Sequence, residues 1–135
     1  MSEIEEILKM KKIAVIGLSK DQSTPSHYVP KYMKEKGYKI IPVNPTAEEI
    51  LCERCCKSLS EVQESIDVVN IFRPSNEVLQ IVKEAIAKKA KAVWMQEGIK
   101  NEEAAREARK HGLLVVMDRC MMKEHTRKPS TYRTV

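Results

Sequence analysis

Lys12-Ile13-Ala14-Val15-Ile16-Gly17-Leu18-Ser19 decides the fold: an almost wholly apolar, β-branched run stops at a glycine, and a polar stretch comes next. Unbroken apolarity of this length suits a strand buried on both faces, as in a parallel sheet, whereas a half-exposed strand would alternate. Beyond Ser19 the chain reads Lys20-Asp21-Gln22-Ser23-Thr24-Pro25. Ser23, Thr24 and Pro25 supply a helix start and Gly37 a stop, so a helix is expected over 26–36, with Tyr28, Val29, Tyr32 and Met33 on its apolar stripe. Strand, loop and helix in that order open a βα unit.

The same unit recurs outward from this stretch. Strands are expected over 12–17, 38–43, 67–72, 92–95 and 113–117. Between them, Ser75 after Pro74 can cap a helix in which Val78, Leu79, Val82, Ala85, Ile86 and Ala90 recur at helical spacing. Asn101 caps another over 102–110, where Glu102 can pair with Arg106 and Gly112 is the stop. An amphipathic helix over 4–10 opens the chain, and a short one over 60–65 precedes the third strand. The expectation is an α/β fold: one doubly wound, Rossmann-like domain with a five-stranded, mainly parallel sheet and helices on both faces. Its core would span 12–123, leaving 124–135 as a basic tail.

With 135 residues the chain fits one such domain, and with one Trp, four Tyr and one Phe its core must rest on aliphatic side chains. Nothing in the sequence resembles a signal peptide or membrane span, so a cytoplasmic location with no membrane partner is expected. The net charge of +5 favours an anionic partner. Because the cations are dispersed except in Lys123 to Arg133, a phosphorylated small molecule is preferred to nucleic acid.

In doubly wound folds the ligand lies beyond the carboxyl ends of the strands. Gly17 leaves room there, Ser19 and Ser23 offer hydroxyls, Lys20 offers charge, and a helix start near Ser26 presents free N–H groups. An ordinary strand-to-helix turn needs the same residue types. The loop has one glycine where the dinucleotide fingerprint G-x-G-x-x-G has three. The second strand ends Val43-Asn44-Pro45, with no carboxylate to take a nicotinamide ribose. Both features weigh against a nicotinamide-dependent redox domain. Asn44 tolerates a phosphorylated ribose, and Arg73, next to Phe72 at the third strand end, can grip phosphate bidentately.

Six short stretches carry a family likeness: Ile13 to Ser19, Pro25-Ser26, Gly37-Tyr38 with Ile41 to Pro45, Asp67-Val68-Val69 with Phe72-Arg73, Trp94 to Gly98, and Met117 to Cys120. In this order the chain resembles the stand-alone CoA-binding domain family, relatives of the N-terminal domain of the succinyl-CoA ligase alpha subunit. The resemblance implies that Gly17, Leu18, Ser19, Lys20, Ser23 and Pro25 border the pyrophosphate, and that Val43, Asn44, Pro45, Phe72 and Arg73 hold the adenosine part. The pantetheine arm would pass Gln96, Glu97 and Gly98 and bring its thiol near Arg119 and Cys120. Coenzyme A or an acyl-CoA is thus the expected ligand, bound by a carrier, sensor or accessory module. A second copy or an enzyme subunit is the protein partner such a module admits. The phosphorylated histidine of the ligases lies in a separate domain, so ligase activity is not implied.

Cys52, Cys55 and Cys56 form C-x-x-C-C, which with Cys120 has the makings of a zinc site, but no second ligand pair supports it and no metal is expected. Cys120 beside Arg119 is either a small buried residue or a thiol able to meet the ligand's sulfur. His27, His111 and His125 have no nucleophile as evident partner and are expected at the surface. No catalytic residue is expected; the alternative is an enzyme acting on acyl-CoA or a CoA disulfide through Cys120 or Glu97.

Overall fold

The computed structural model describes residues 2–127. Its centre is a five-stranded sheet of β1 (Lys12–Ile16), β2 (Lys39–Val43), β5 (Val68–Ile71), β6 (Ala92–Met95) and β7 (Leu114–Val116), ordered β2-β1-β5-β6-β7. Every neighbouring pair is parallel. The chain leaves β1 toward one side of the sheet and reaches β5 on the other, so the strand order reverses between those two strands. A Rossmann-like α/β fold results, with each expected strand present, β6 over the expected residues and the other four shorter by one or two.

Alternation along the strands divides the core in two. Ala14, Ile16, Val69, Ile71, Val93 and Met95 face α3 (Val78–Ala87) and α4 (Glu102–Lys110). Ile13, Val15, Val68, Ala92 and Trp94 face α1 (Glu3–Leu8), α2 (Pro25–Glu35) and α5 (Met121–Thr126). Each fully buried large aliphatic side chain contributes about 1.5–3 kcal/mol, so both layers are needed. Trp94, wholly buried, places its polar edge by donating Nε1–H to the Arg119 carbonyl at 2.8 Å.

Several expectations need correction. The helix over 60–65 is one 3₁₀ turn, Leu59–Glu61. Ser75 does not cap α3: its Oγ accepts from Lys100 N–H at 3.1 Å, and a 3₁₀ turn, Ser75–Glu77, leads into the helix. Glu102 pairs with Lys100 rather than Arg106. Residues 124–126, expected in the tail, belong to a helix, Met121–Thr126, with Glu124 and His125 buried against the body; residues 128–135 of the expected tail lie outside the described residues. Two of the three histidines are interior. His125 is fully buried, its Nδ1 2.8 Å from the Tyr32 hydroxyl and its ring edge-on to Tyr32 and Tyr38, while His27 is 7% exposed.

An unexpected hairpin, β3 (Glu49–Ile50) and β4 (Glu53–Arg54), comes after β2. Its tip, Leu51-Cys52, has φ of 56° and 61°, the left-handed region usually left to Gly or Asn. Lys34 holds the tip by donating to the Leu51 carbonyl and pairing with Glu53 at 3.1 Å. The chain after the hairpin then lies along β2, with Asn44 N–H donating to Cys56 O at 2.9 Å and Cys56 N–H to Pro42 O at 2.9 Å. At the other sheet edge the Glu3 carboxylate accepts from Val115 N–H at 3.1 Å. Both edges are therefore engaged, which blunts edge-to-edge pairing.

Candidate functional site at the carboxyl ends of the strands

Gly17 ends β1 with φ +88°, a conformation open to glycine and strained for other residues. A Cβ there would stand 2.8 Å from the Phe72 carbonyl oxygen and 3.1 Å from Arg73 Cδ. The room that glycine leaves is thus filled by the chain leaving β5, and β1 and β5 approach closely where the strand order reverses.

The loop after Gly17 is clamped to the first turn of α2. Pro30 sits inside that helix and has no N–H to give the Ser26 carbonyl one turn back. Ser26 O instead accepts from Ser19 N–H at 3.1 Å. His27 Nδ1 lies 2.6 Å from the Ser19 carbonyl; since a carbonyl only accepts, that nitrogen carries the hydrogen. Both backbone groups of Ser19 are thereby fixed, and its hydroxyl accepts from Asp21 N–H at 2.9 Å. Asp21 in turn accepts from the hydroxyl and N–H of Ser23 at 2.7 and 3.0 Å, and the hydroxyl bond above all holds its carboxyl below the usual carboxylate range.

Asn44 ties the second loop to the first. Its Nδ2 donates to Leu18 O at 2.9 Å, and its Oδ1 accepts from Thr46 N–H at 2.8 Å and Ala47 N–H at 3.1 Å. Its amide is accordingly structural. The neutral residue read as tolerance for a phosphorylated ribose is also the bolt between two loops.

Two cavities open on this rim. The larger, about 830 Å³, is bordered by Gly17, Ser19, Lys20, Val43, Asn44, Pro45, Phe72 and Arg73, as expected, and by Thr46, Lys57, Ser58, Leu59, Glu77 and Glu84, which were not. The smaller, about 270 Å³, is bordered by Pro25, Tyr28, Gln96, Glu97, Cys120 and Lys123. Ser26 and Phe72 border both. Phe72, half-buried, is therefore a shared wall more than a core residue.

Four expected residues border neither cavity. The Leu18 side chain is wholly buried in the core, and the Ser23 hydroxyl is turned to Asp21. Gly98 donates its N–H to Asp118 Oδ1 at 2.7 Å, closing the loop after β6 onto that after β7. Arg119 Nη1 stands 3.9 Å from a Glu124 oxygen.

In the larger cavity, Arg73 donates from Nε and Nη2 to the two oxygens of Glu77 at 3.0 and 2.9 Å. This fork holds the guanidinium's pKa above, and the Glu77 carboxyl's below, its ordinary value. In the smaller one Lys123 Nζ lies 3.1 and 3.2 Å from the Glu97 oxygens, and that contact raises the ammonium's pKa. Gln96 is buried, its Oε1 accepting from Met121 N–H at 2.9 Å, which sets the start of α5 and with it Cys120, 6% exposed.

Cys55 and Cys56 are consecutive and pack toward opposite core layers, and burial is the main cause of the raised pKa of each. Cys52 is exposed at the hairpin tip and Cys120 is buried in another part of the chain. All four are free thiols, and among the described residues no three His, Cys, Asp or Glu side chains gather to hold a metal ion. No helix among them is long and apolar enough to cross a membrane.

A doubly wound sheet with cavities at the reversal of its strand order defines a nucleotide-type binding domain. Residues 11–126 match the family model described as CoA binding domain, and the chain belongs to that family. It is similar to the uncharacterized protein YneT of Bacillus subtilis, 42% identical over 92% of this chain and 93% of that protein. It is also 32% identical, over 91% of its length, to the alpha subunit of an ADP-forming acetate–CoA ligase II from Pyrococcus furiosus, of which it spans 30%. Among solved structures, a hypothetical protein from Pyrococcus horikoshii OT3 superposes with a TM-score of 0.89 at 40% identity, covering 94% of this chain and 92% of that one.

Proposed function

We propose that this chain binds coenzyme A or a CoA thioester as a module without chemistry of its own. The observation that carries this reading is the pair of cavities sharing Ser26 and Phe72 at the strand-order reversal. The larger has the volume usual for a nucleotide-sized ligand and cations at Lys20, Lys57 and Arg73 for its phosphates. Pro45 supplies apolar surface for a base, with Val43 and Leu59 behind it in the core. The pantetheine arm passes Ser26 and Phe72 into the smaller cavity, where Gln96, Glu97 and Cys120 surround its sulfur end. The ligase relationship supports a role beside a partner subunit, as carrier, sensor or accessory domain.

Titration calorimetry with CoA, dephospho-CoA, ADP and NAD tests the reading. Saturable CoA binding, weaker for dephospho-CoA and absent for NAD, is the expected result. Clear NAD binding with none for CoA would overturn it.

A second reading rests on Cys120 bordering the smaller cavity. Its thiolate attacks the disulfide of oxidised CoA, forms a Cys120–CoA disulfide and releases one CoA thiolate, so the electrons balance. Intact-mass measurement after incubation with CoA disulfide should show an adduct that reductant removes and Cys120→Ser never forms. No adduct on the unsubstituted protein would end this reading and leave the first standing.

A further inference from the structure

Among the described residues Arg73 is the only arginine bordering the larger cavity, hence its only planar, two-donor group for a phosphate; Lys20 and Lys57 act as point charges. One of its two bidentate edges, Nε and Nη2, is already taken by both Glu77 oxygens at 3.0 and 2.9 Å. Glu77 borders the same cavity and is held in place. Its 3₁₀ turn is fastened to the loop after β6 by Lys100 N–H on Ser75 Oγ at 3.1 Å and Asn101 Nδ2 on Ser75 O at 2.9 Å. Arg73 leaves β5 beside Gly17, its Cδ lying over the space that the missing Cβ leaves. Carboxylate and guanidinium, four residues apart on one segment and both half-exposed, thus meet across an anchored turn. The wall charges, three cations against Glu77 and Glu84, leave little net attraction once Glu77 neutralises Arg73.

We infer that Glu77 is a built-in competitor of the ligand's phosphate: its carboxylate occupies the Nε–Nη2 edge of Arg73 and must be displaced for a phosphate to take that edge. Glu77 is then a specificity-determining residue, which rests on the reading of the cavity as a CoA site. A ligand with one weak anionic group fails to displace it, and a polyphosphorylated one succeeds. The cavity rejects simple anions at the expense of its own affinity for CoA.

The test is a double-substitution cycle read by calorimetry with two probes, CoA and inorganic pyrophosphate, on the unsubstituted protein, Glu77→Gln, Arg73→Ala and the double variant. Glu77→Gln removes the carboxylate's hold on Arg73 and its repulsion of phosphate, and should tighten both probes about three- to fivefold. In the Arg73→Ala background the same change should tighten both probes only through the lost repulsion, with the CoA and pyrophosphate contacts to the fork no longer available to gain. Thermal melts of all four proteins, with Glu77→Ala as a second variant, separate these effects from altered folding. Unchanged or weakened CoA binding in both folded Glu77 variants, on a protein that does bind CoA, overturns the inference. If no protein binds CoA but Glu77→Gln alone gains pyrophosphate, the competitor stands and the CoA reading falls.

Discussion

The two ends of the sheet solve opposite problems. At the amino ends, neighbouring segments bond to one another directly: Lys39 N–H donates to Lys11 O at 2.7 Å, Asp67 N–H to Lys12 O at 2.9 Å, Lys91 N–H to Asp67 O at 2.9 Å and Leu114 N–H to Lys91 O at 3.0 Å. Asp67 adds a carboxylate that accepts from Lys12 N–H at 3.2 Å. Backbone groups satisfy each other from strand to strand, so that end closes whatever side chains it bears, and lysines are tolerated there. At the carboxyl ends the backbone still bonds across the last rung, Gly17 N–H to Val43 O at 3.0 Å and Phe72 N–H to Ile16 O at 2.9 Å, but beyond it the chains leaving β1 and β5 part toward opposite layers. Past that rung the loops are held by single residues: Gly17 packed under Phe72 O, the Asn44 amide on Leu18 O, a helix carbonyl freed by Pro30 and an Arg–Glu fork. Cavities persist at the end where closure depends on single residues, which is why binding sites lie there.

The comparison is broken most severely at Gly17. Gly17→Val combines a strained φ with a clash against the Phe72 carbonyl, and should cost roughly 2–5 kcal/mol in denaturant unfolding and abolish CoA binding. Arg73→Ala removes a charge-assisted phosphate contact and should weaken CoA by about ten- to a hundredfold in calorimetry, with the melting temperature nearly unmoved.

At the closed end the effects should fall on stability alone. The Tyr38 hydroxyl donates to Leu8 O, and burial pushes its pKa up to about 12. Because that value lies above the roughly 10 of an unfolded tyrosine, the neutral phenol favours the fold. The contribution is complete below pH 10 and is lost as pH rises toward 12, about 2 kcal/mol in all. Unfolding curves across that window should show the loss, and Tyr38→Phe should flatten it. Asp67→Ala should cost about 1–2 kcal/mol and leave CoA affinity unchanged.

Pro30→Ala sharpens the contrast with the smallest effect and opposite signs. The helix gains an N–H that competes for Ser26 O, so thermal stability should rise while CoA binding weakens about threefold as Ser19 loosens.

The strands were legible because each is a short apolar run bounded by Gly, Pro or a charge, and parallel pairing comes from the helices between them. Gly17, Asn44 and Arg73 could be placed on one rim because they stand directly after strands. The hairpin escaped because Leu51-Cys52 carries no turn signal, its left-handed backbone being held by Lys34 from another element. Lys57, Ser58 and Glu77 reach the larger cavity through that hairpin and through a 3₁₀ turn, neither of which has periodicity to read. His27 and His125 looked like surface residues because their partners, the Ser19 carbonyl and Tyr32, are tertiary neighbours. The C-x-x-C-C spacing does not converge, since extended backbone sends Cys55 and Cys56 to opposite layers.

Amide hydrogen exchange of the unsubstituted protein, with and without saturating CoA, tests the central claim most directly, because it reports both ends of the sheet at once. Exchange should slow over 17–27, 44–47 and 72–77 and remain unchanged at Lys39, Asp67, Lys91 and Leu114. Unaltered exchange on the carboxyl rim, or slowing confined to the amino ends, would contradict it.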